Sequence, residues 1–171
     1  MNTLSRQLAR SAKANGICKE WHDRLRRQTE ITGLVAMYIK GIDFCMAHNW
    51  PDLETLRRAF AGDPFVRDHG IFIDAKNVDV KNRATTVLLG ASDAAISFDG
   101  YEVGEIYVRH NSNAKLAVSG RAFVVVDVYD AATIQITATD QAKVFVKNHG
   151  SAPVEVNHGP DAVVKVNNEI A

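Results

Sequence analysis

A short repeat runs through the second half of this chain and restricts its folds more than any other feature. Beginning at Ala84, a small residue recurs at Ala94, Gly104, Ala114, Ala122, Ala132, Ala142, Ala152 and Ala162. Two large apolar residues follow each one at alternate positions, as in Ala122-Phe-Val-Val-Val126 and Ala132-Thr-Ile-Gln-Ile136, and a polar connector then leads to the next unit. The nine units keep a step of ten residues except between Ala114 and Ala122, where the step is eight and Ser119-Gly120 reads as a shortened connector. Alternation puts the small residue and both large ones on one face of a strand. Connectors such as Asp99-Gly100, Asn148-His149-Gly150 and Asn157-His158-Gly159-Pro160 supply turn-forming residues.

A unit this short buries its apolar face only by stacking on others like it. The repeat therefore predicts a flattened, two-sided parallel β-solenoid (a β-helix) of ten-residue half-coils, with about twenty residues per turn. Successive units cross the core in opposite directions, so the small first residue of one faces the large last residue of the next and the core keeps its width. At about 4.8 Å per turn the units make a stub of about 20 Å. An antiparallel meander is the competing arrangement, but an open sheet has no reason to place a small residue at every strand start. Pro153 removes a ladder donor and marks an edge or irregularity.

Ahead of Gly62 the apolar spacing is helical. Thr3 can cap a helix carrying Leu4, Leu8 and Ala12 that stops at Gly16; a second runs through Ile17, Trp21 and Leu25, and a third over 32–40. Ile42 to His48 forms a short helix, and Pro51 suits the first turn of another that carries Leu53, Leu56 and Phe60. Asp63-Pro64 is expected to break it. The expected fold class is α+β. A helical domain spans 1–62, a connector with short capping strands spans 63–83, and the solenoid spans 84–171.

Composition excludes some functions. Among 171 residues, 20 Lys and Arg balance 20 Asp and Glu, which argues against a uniformly basic nucleic-acid binder and against an acidic DNA mimic. The balance is uneven along the chain, +4 over 1–62 and −4 over 63–171. No apolar run approaches the roughly 18–20 residues that cross a bilayer, and no membrane association is expected. The opening residues mix Arg6 and Arg10 with Leu4 and Leu8 without a secretory apolar core. Two cysteines are too few for a disulfide framework, so a reducing cytoplasm is the expected setting.

Few side chains suggest chemistry. Cys18 with His22, and Cys45 with His48, fall on shared helix faces and could combine as a tetrahedral zinc site, against the alternative of buried thiols and partly exposed histidines. Cys18 and His22 could equally be a nucleophile and its base, but no oxyanion-forming motif accompanies them. Lys19, Arg24, Arg26 and Arg27 make a basic cluster that could bind nucleic acid or an acidic partner. A helix-turn-helix reading fits Ala12, Gly16 and Leu25, but it puts His22 where an apolar residue belongs. Tyr101, Tyr107 and Tyr129 could line a carbohydrate surface. The connector aspartates lack the glycine-aspartate turn of calcium-binding solenoids, and no cofactor is expected.

The stretch Gly41-Ile-Asp-Phe-Cys-Met-Ala-His-Asn-Trp-Pro-Asp-Leu53 and the repeats after it resemble short uncharacterised proteins encoded in prophages and mobile elements of gut anaerobes. Those proteins pair a helical segment ending in such a Gly-Ile-Asp-Phe stretch with a strand-repeat tail. The resemblance covers nearly the whole chain and implies no activity or site residues. In architecture alone the repeat resembles bactofilin cytoskeletal solenoids and the coiled β-structures of phage fibres.

These features lead us to expect a non-catalytic scaffold or protein-interaction module. It would be phage-encoded, residing in host cytoplasm or virion, and would associate with itself or another protein through the solenoid, whose last coil only 167–171 could cover. An inhibitor or regulator that binds a host protein or DNA through the basic helical head is the alternative. An enzyme would need a pocket near Trp21, His22 and His69.

Overall fold

A computed structural model, which describes residues 3–169, resolves them into two compact units that divide between His69 and Gly70. The described residues form six helices and eleven strands.

The first unit holds α1 (Thr3–Ala14), α2 (Lys19–Arg26), α3 (Ile31–Lys40), α4 (Ile42–Ala47), α5 (Leu53–Phe60) and α6 (Pro64–Asp68). Its buried side chains fall at helical spacing: Leu8 and Ala12 on α1, Leu34 and Tyr38 on α3, Leu56 and Phe60 on α5. Trp50 is buried with them, and its indole N–H donates to Ser11 Oγ at 2.9 Å, which satisfies the ring's one polar group.

Two proline expectations need correction. Pro51 does not lie inside α5; it follows a cis peptide bond after Trp50, and Asp52 is the N-cap. The Asp52 carboxylate accepts from the Thr55 N–H at 2.9 Å and from Thr55 Oγ1 at 2.8 Å. The helix before Asp63-Pro64 does end, at Phe60, but the pair also starts a further helix that was not expected. Asp63 accepts from the N–H groups of Phe65 and Val66, and Pro64 occupies the first turn, where its missing N–H is no loss.

The second unit is a parallel β-solenoid. Its strands are β1 (Ile71–Ile73), β2 (Val78–Lys81), β3 (Thr85–Leu89), β4 (Asp93–Phe98), β5 (Val103–Val108), β6 (Asn113–Val118), β7 (Phe123–Val128), β8 (Thr133–Ala138), β9 (Lys143–Asn148), β10 (Val154–His158) and β11 (Val163–Asn168). Odd-numbered strands make one sheet in the order β1-β3-β5-β7-β9-β11, and even-numbered strands make the other in the order β2-β4-β6-β8-β10. Every pairing is parallel. Consecutive strands alternate between sheets, as the two-sided coil requires. The strands of the expected connector, β1 and β2, pair with β3 and β4 and so form the first coil.

Register corrects the eight-residue step. Gly104 pairs with Val124 and Ala114 with Ile134, so the coil keeps twenty residues through Ser119-Gly120. Each strand has inward positions at alternate residues, and the small residue changes slot: it sits one inward position later in Ala94, Gly104 and Ala114 than in Ala122, Ala132 and Ala142. Tracking alanine alone made that change look like a shortened connector. The small residue follows the bulk that it faces. A Cβ added at Gly104 would lie 2.2 Å from the ζ-carbon of Phe98, so the phenyl ring occupies the space that a side chain there would need. The inward residues from Phe72 to Ala162 form one continuous core. The hydroxyl oxygen of Thr86 on β3 is a buried polar atom with no partner among the described residues.

The corners carry a second period. Gly90, Gly100, His110, Gly120, Asp130 and Asp140 all have left-handed backbone, with φ between 55° and 71°. Where the residue is not glycine, its side chain bonds the corner one coil earlier. His110 Nδ1 accepts from the Gly90 N–H at 3.1 Å, Asp130 Oδ2 from the His110 N–H at 3.2 Å, and Asp140 Oδ2 from the Gly120 N–H at 2.9 Å. Short polar side chains tolerate this conformation, and here they also satisfy an amide that the ladder leaves over.

Gly104→Ala should overpack the core against Phe98 and lower unfolding free energy by about 1–3 kcal/mol in urea titrations, with Phe98→Leu recovering part of the loss. The Thr55 amide and hydroxyl hold the Asp52 carboxyl below its ordinary pKa. A depressed folded pKa gives stability that is present above the unfolded value and lost as pH falls through the folded one. Asp52→Ala should therefore cost about 1 kcal/mol near neutrality, and the difference from wild type should vanish in acid.

Candidate interaction surface

The residues singled out in the helical unit do not converge. Among the described residues no three His, Cys, Asp or Glu side chains meet where a metal ion could sit, so Cys18, His22, Cys45 and His48 form no zinc site. Cys18 is exposed. Cys45 is buried and points at the Tyr38 carbonyl, 3.9 Å away, and burial pushes its thiol up to about 12, so it stays protonated and inert. His22 contacts the Asp23 carboxylate at 3.3 Å, and His48 packs on the Phe44 ring. His69 packs at a tilt against the Phe65 ring, and its Nδ1 lies 2.8 Å from the Phe65 carbonyl.

Half of the basic cluster is neutralised on its own helix. Lys19 pairs with Asp23 at 2.9 Å and Arg24 with Glu20 at 2.6 Å, both at the four-residue spacing that suits exposed helix pairs. Arg26 and Arg27 are exposed and form no ion pair among the described residues.

On the solenoid, twenty-residue spacing stacks side chains in columns up the outer faces. In one such column the Arg109 guanidinium lies 4.8 Å from the centre of the Tyr129 ring, and that ring stacks on His149 at 4.4 Å with planes 9° apart. His149 turns both ring nitrogens to carboxylates, Nε2 to Asp127 at 2.8 Å and Nδ1 to Glu169 at 3.0 Å. With both nitrogens engaged, the imidazole has none left for a substrate or a nucleophile, and the column acts as a tie along the coil axis. Tyr107 is buried and its hydroxyl lies 3.3 Å from Glu105, so it cannot line a carbohydrate surface; Tyr101 is 76 % exposed and Arg121 approaches its ring.

The largest irregularity is at the C-terminal end. Val144 and Val146 on β9 are fully buried, whereas Val166, the next inward residue in the Val146 column, is 38 % exposed and Val156 on β10 is 40 % exposed. At the other end Ile71, Phe72, Ile73, Val78 and Val80 are all buried. Odd-numbered residues donate back to the preceding coil, as Lys143 N–H does to the Ala122 carbonyl and Val163 N–H to the Ala142 carbonyl. Even-numbered residues bond forward. On the last two strands the forward-facing groups belong to Val154, Val156, His158, Val164, Val166 and Asn168, and no described strand lies beyond them. Valines at alternate positions look the same in every repeat, so position in the stack, not sequence, makes these residues exposed. The Ile170-Ala171 part of the expected cover lies outside the described residues.

Asn148 eases this transition. It occupies an inward position that valine fills in earlier coils, and its amide donates to the Ala152 carbonyl and to Asn168 Oδ1, both at 3.0 Å. A thiol reagent should modify one cysteine of the native protein, Cys18, and both only after unfolding; mass spectrometry of the modified peptides reads this out directly.

Among the described residues no helix is long and apolar enough to cross a membrane. Comparison of the chain with protein-family models, with curated proteins and with solved structures finds no match to any of them.

Proposed function

We propose that this protein is a non-catalytic scaffold or interaction module that self-associates through the open C-terminal coil of its solenoid, in the phage or mobile-element setting that the Gly41–Leu53 stretch suggests. The observation that carries this reading is the difference between the two ends. Both ends finish in two edge strands, but the first coil keeps its apolar side chains buried while the last exposes Val156 and Val166. Exposed edges of this kind template further pairing unless charge, proline or cover blocks them, and within the two edge strands and their flank only Pro153, Glu155 and Lys165 act in that sense. Polar side chains on the same coils are meanwhile committed to structure, with Arg109 paired to Asp130 and His149 to Asp127.

A second reading, a regulator that binds a host protein or DNA through the helical head, draws support from the exposed Arg26 and Arg27. It predicts a stable monomer whose binding disappears when those two residues are neutralised.

Light scattering on a sizing column should give a mass above the 18.8 kDa of one chain, rising with concentration to a defined limit. Val156→Lys with Val166→Lys should return the mass to that of one chain without altering the circular dichroism, because both side chains are already exposed in the single chain. A strict monomer across two decades of concentration overturns the proposal.

A further inference from the structure

The two ends of the solenoid also determine which assembly can form. A head-to-tail polymer joins unlike surfaces and needs both ends open, whereas a two-fold dimer joins one surface to its own copy. Both ends carry edge strands, but among the described residues the inward apolar side chains are exposed at the C-terminal coil and buried at the first one, so association joins two C-terminal coils and stops at two chains. This step rests on the self-association proposed above and adds its geometry.

Two orientations of a two-fold axis bring two such coils together edge to edge. An axis perpendicular to the sheets sets β11 against its own copy and β10 against its own copy. An axis parallel to the strands and lying between the sheets sets β11 of each chain against β10 of the other. Facing strands of the coil run in opposite directions, so either orientation makes antiparallel pairs.

Charge separates the two. Lys165 and Glu155 are the charged residues within the two edge strands. They lie at nearly equal distances from the corner at Pro160-Asp161, one in each sheet, and both are exposed. Glu155 now bonds Gln135 at 2.8 Å, and Lys165 lies 5.6 Å from the centre of the Phe145 ring. With the axis perpendicular to the sheets and the strands centred on these residues, lysine meets lysine and glutamate meets glutamate. With the axis along the strands, Lys165 comes opposite or diagonal to the partner's Glu155, and the same contact forms a second time by symmetry. That axis also fixes the register, because a two-fold rotation leaves no freedom to slide one copy along it.

The backbone fits the same arrangement. Antiparallel strands exchange hydrogen bonds between opposed residues whose N–H and C=O both face the partner. On both edges these are even-numbered residues, so Val164 and Val166 lie against the partner's Val156 and Val154 in bonded pairs. Lys165 and Glu155 then fall in the intervening non-bonded positions, where side chains approach most closely. The exposed valines become the middle of a core that continues from one solenoid into the other.

We infer that the protein forms a two-fold dimer in which β11 of each chain pairs antiparallel with β10 of a second copy, with Lys165 matched to the partner's Glu155 at two symmetric places. The experiment compares the dimer dissociation constants of wild type, Lys165→Glu, Glu155→Lys and the double swap by sedimentation. Each single variant puts like charges at both places and should weaken the dimer by roughly tenfold or more, and the double swap should restore it. Melting curves at dilutions where all four are monomeric check that the fold itself is unchanged. A wild-type dimer that the single variants leave intact, or that the double swap fails to restore, overturns this pairing while self-association stands. A wild type that stays monomeric overturns both, and a mass that grows without limit overturns the closed dimer.

Discussion

Each coil of the solenoid leaves the backbone groups of its even-numbered residues to be bonded by the coil that follows. The rest of the second unit depends on that constraint. It holds the period at twenty residues from β3 onward, after a first coil of sixteen, because a coil out of step would face its inward residues to solvent and leave a row of amides without partners. It stacks outer side chains into columns such as Arg109-Tyr129-His149, since residues one coil apart in register are about 4.8 Å apart in space. It also leaves an edge at each end of the stack, and only at the last coil are the inward valines exposed with it among the described residues. The apolar columns supply the driving force for folding, and the ladder decides where that force is left unsatisfied.

The sequence made much of this legible, for a physical reason. A strand alternates faces with a period of two and a half-coil takes ten residues, so the Ala-x-Val-x-Val units show both the inward face and the distance between strands. The helical boundaries at Gly16 and Gly62 were equally plain, since both residues take positive φ where a helix ends. What misled was treating the small residue as the fixed point of the repeat. Its slot depends on what lies across the core, as Phe98 above Gly104 shows, and that is a relation between strands that no single unit contains. The corner residues Gly90, Gly100, Gly120, Asp130 and Asp140 hold the true period and would have served better. The prolines failed for a related reason. Whether Pro64 stops one helix or starts another depends on whether a neighbouring carboxylate, here Asp63, takes up the freed amides.

The candidate site was less legible. Cys18, His22, Cys45 and His48 have helical spacing suited to ligation, but spacing within a helix does not set the distance between helices, and packing put one thiol in solvent and the other in the core. The charges of the basic cluster divide by partner: Lys19 and Arg24 are held by acids one turn away, leaving Arg26 and Arg27. The open coil was legible from its place as the last repeat and not from its residues, because Val154-Glu-Val156 and Val163-Val-Lys-Val166 follow the same rule as the buried repeats. Exposure there is a property of being last.

The corner side chains have a consequence for how the chain is made. His110 completes the amide of Gly90, Asp130 that of His110, and Asp140 that of Gly120, each reaching from the later coil to the earlier. A coil emerging from the ribosome is therefore unfinished until about one further turn has been synthesised, and the unfinished edge advances with the growing chain. Synthesis and stacking share one direction, so a pause exposes only the most recent turn and every earlier one is already sealed. Translation itself can thus guard a repetitive, edge-rich sequence against pairing with its neighbours on the same message.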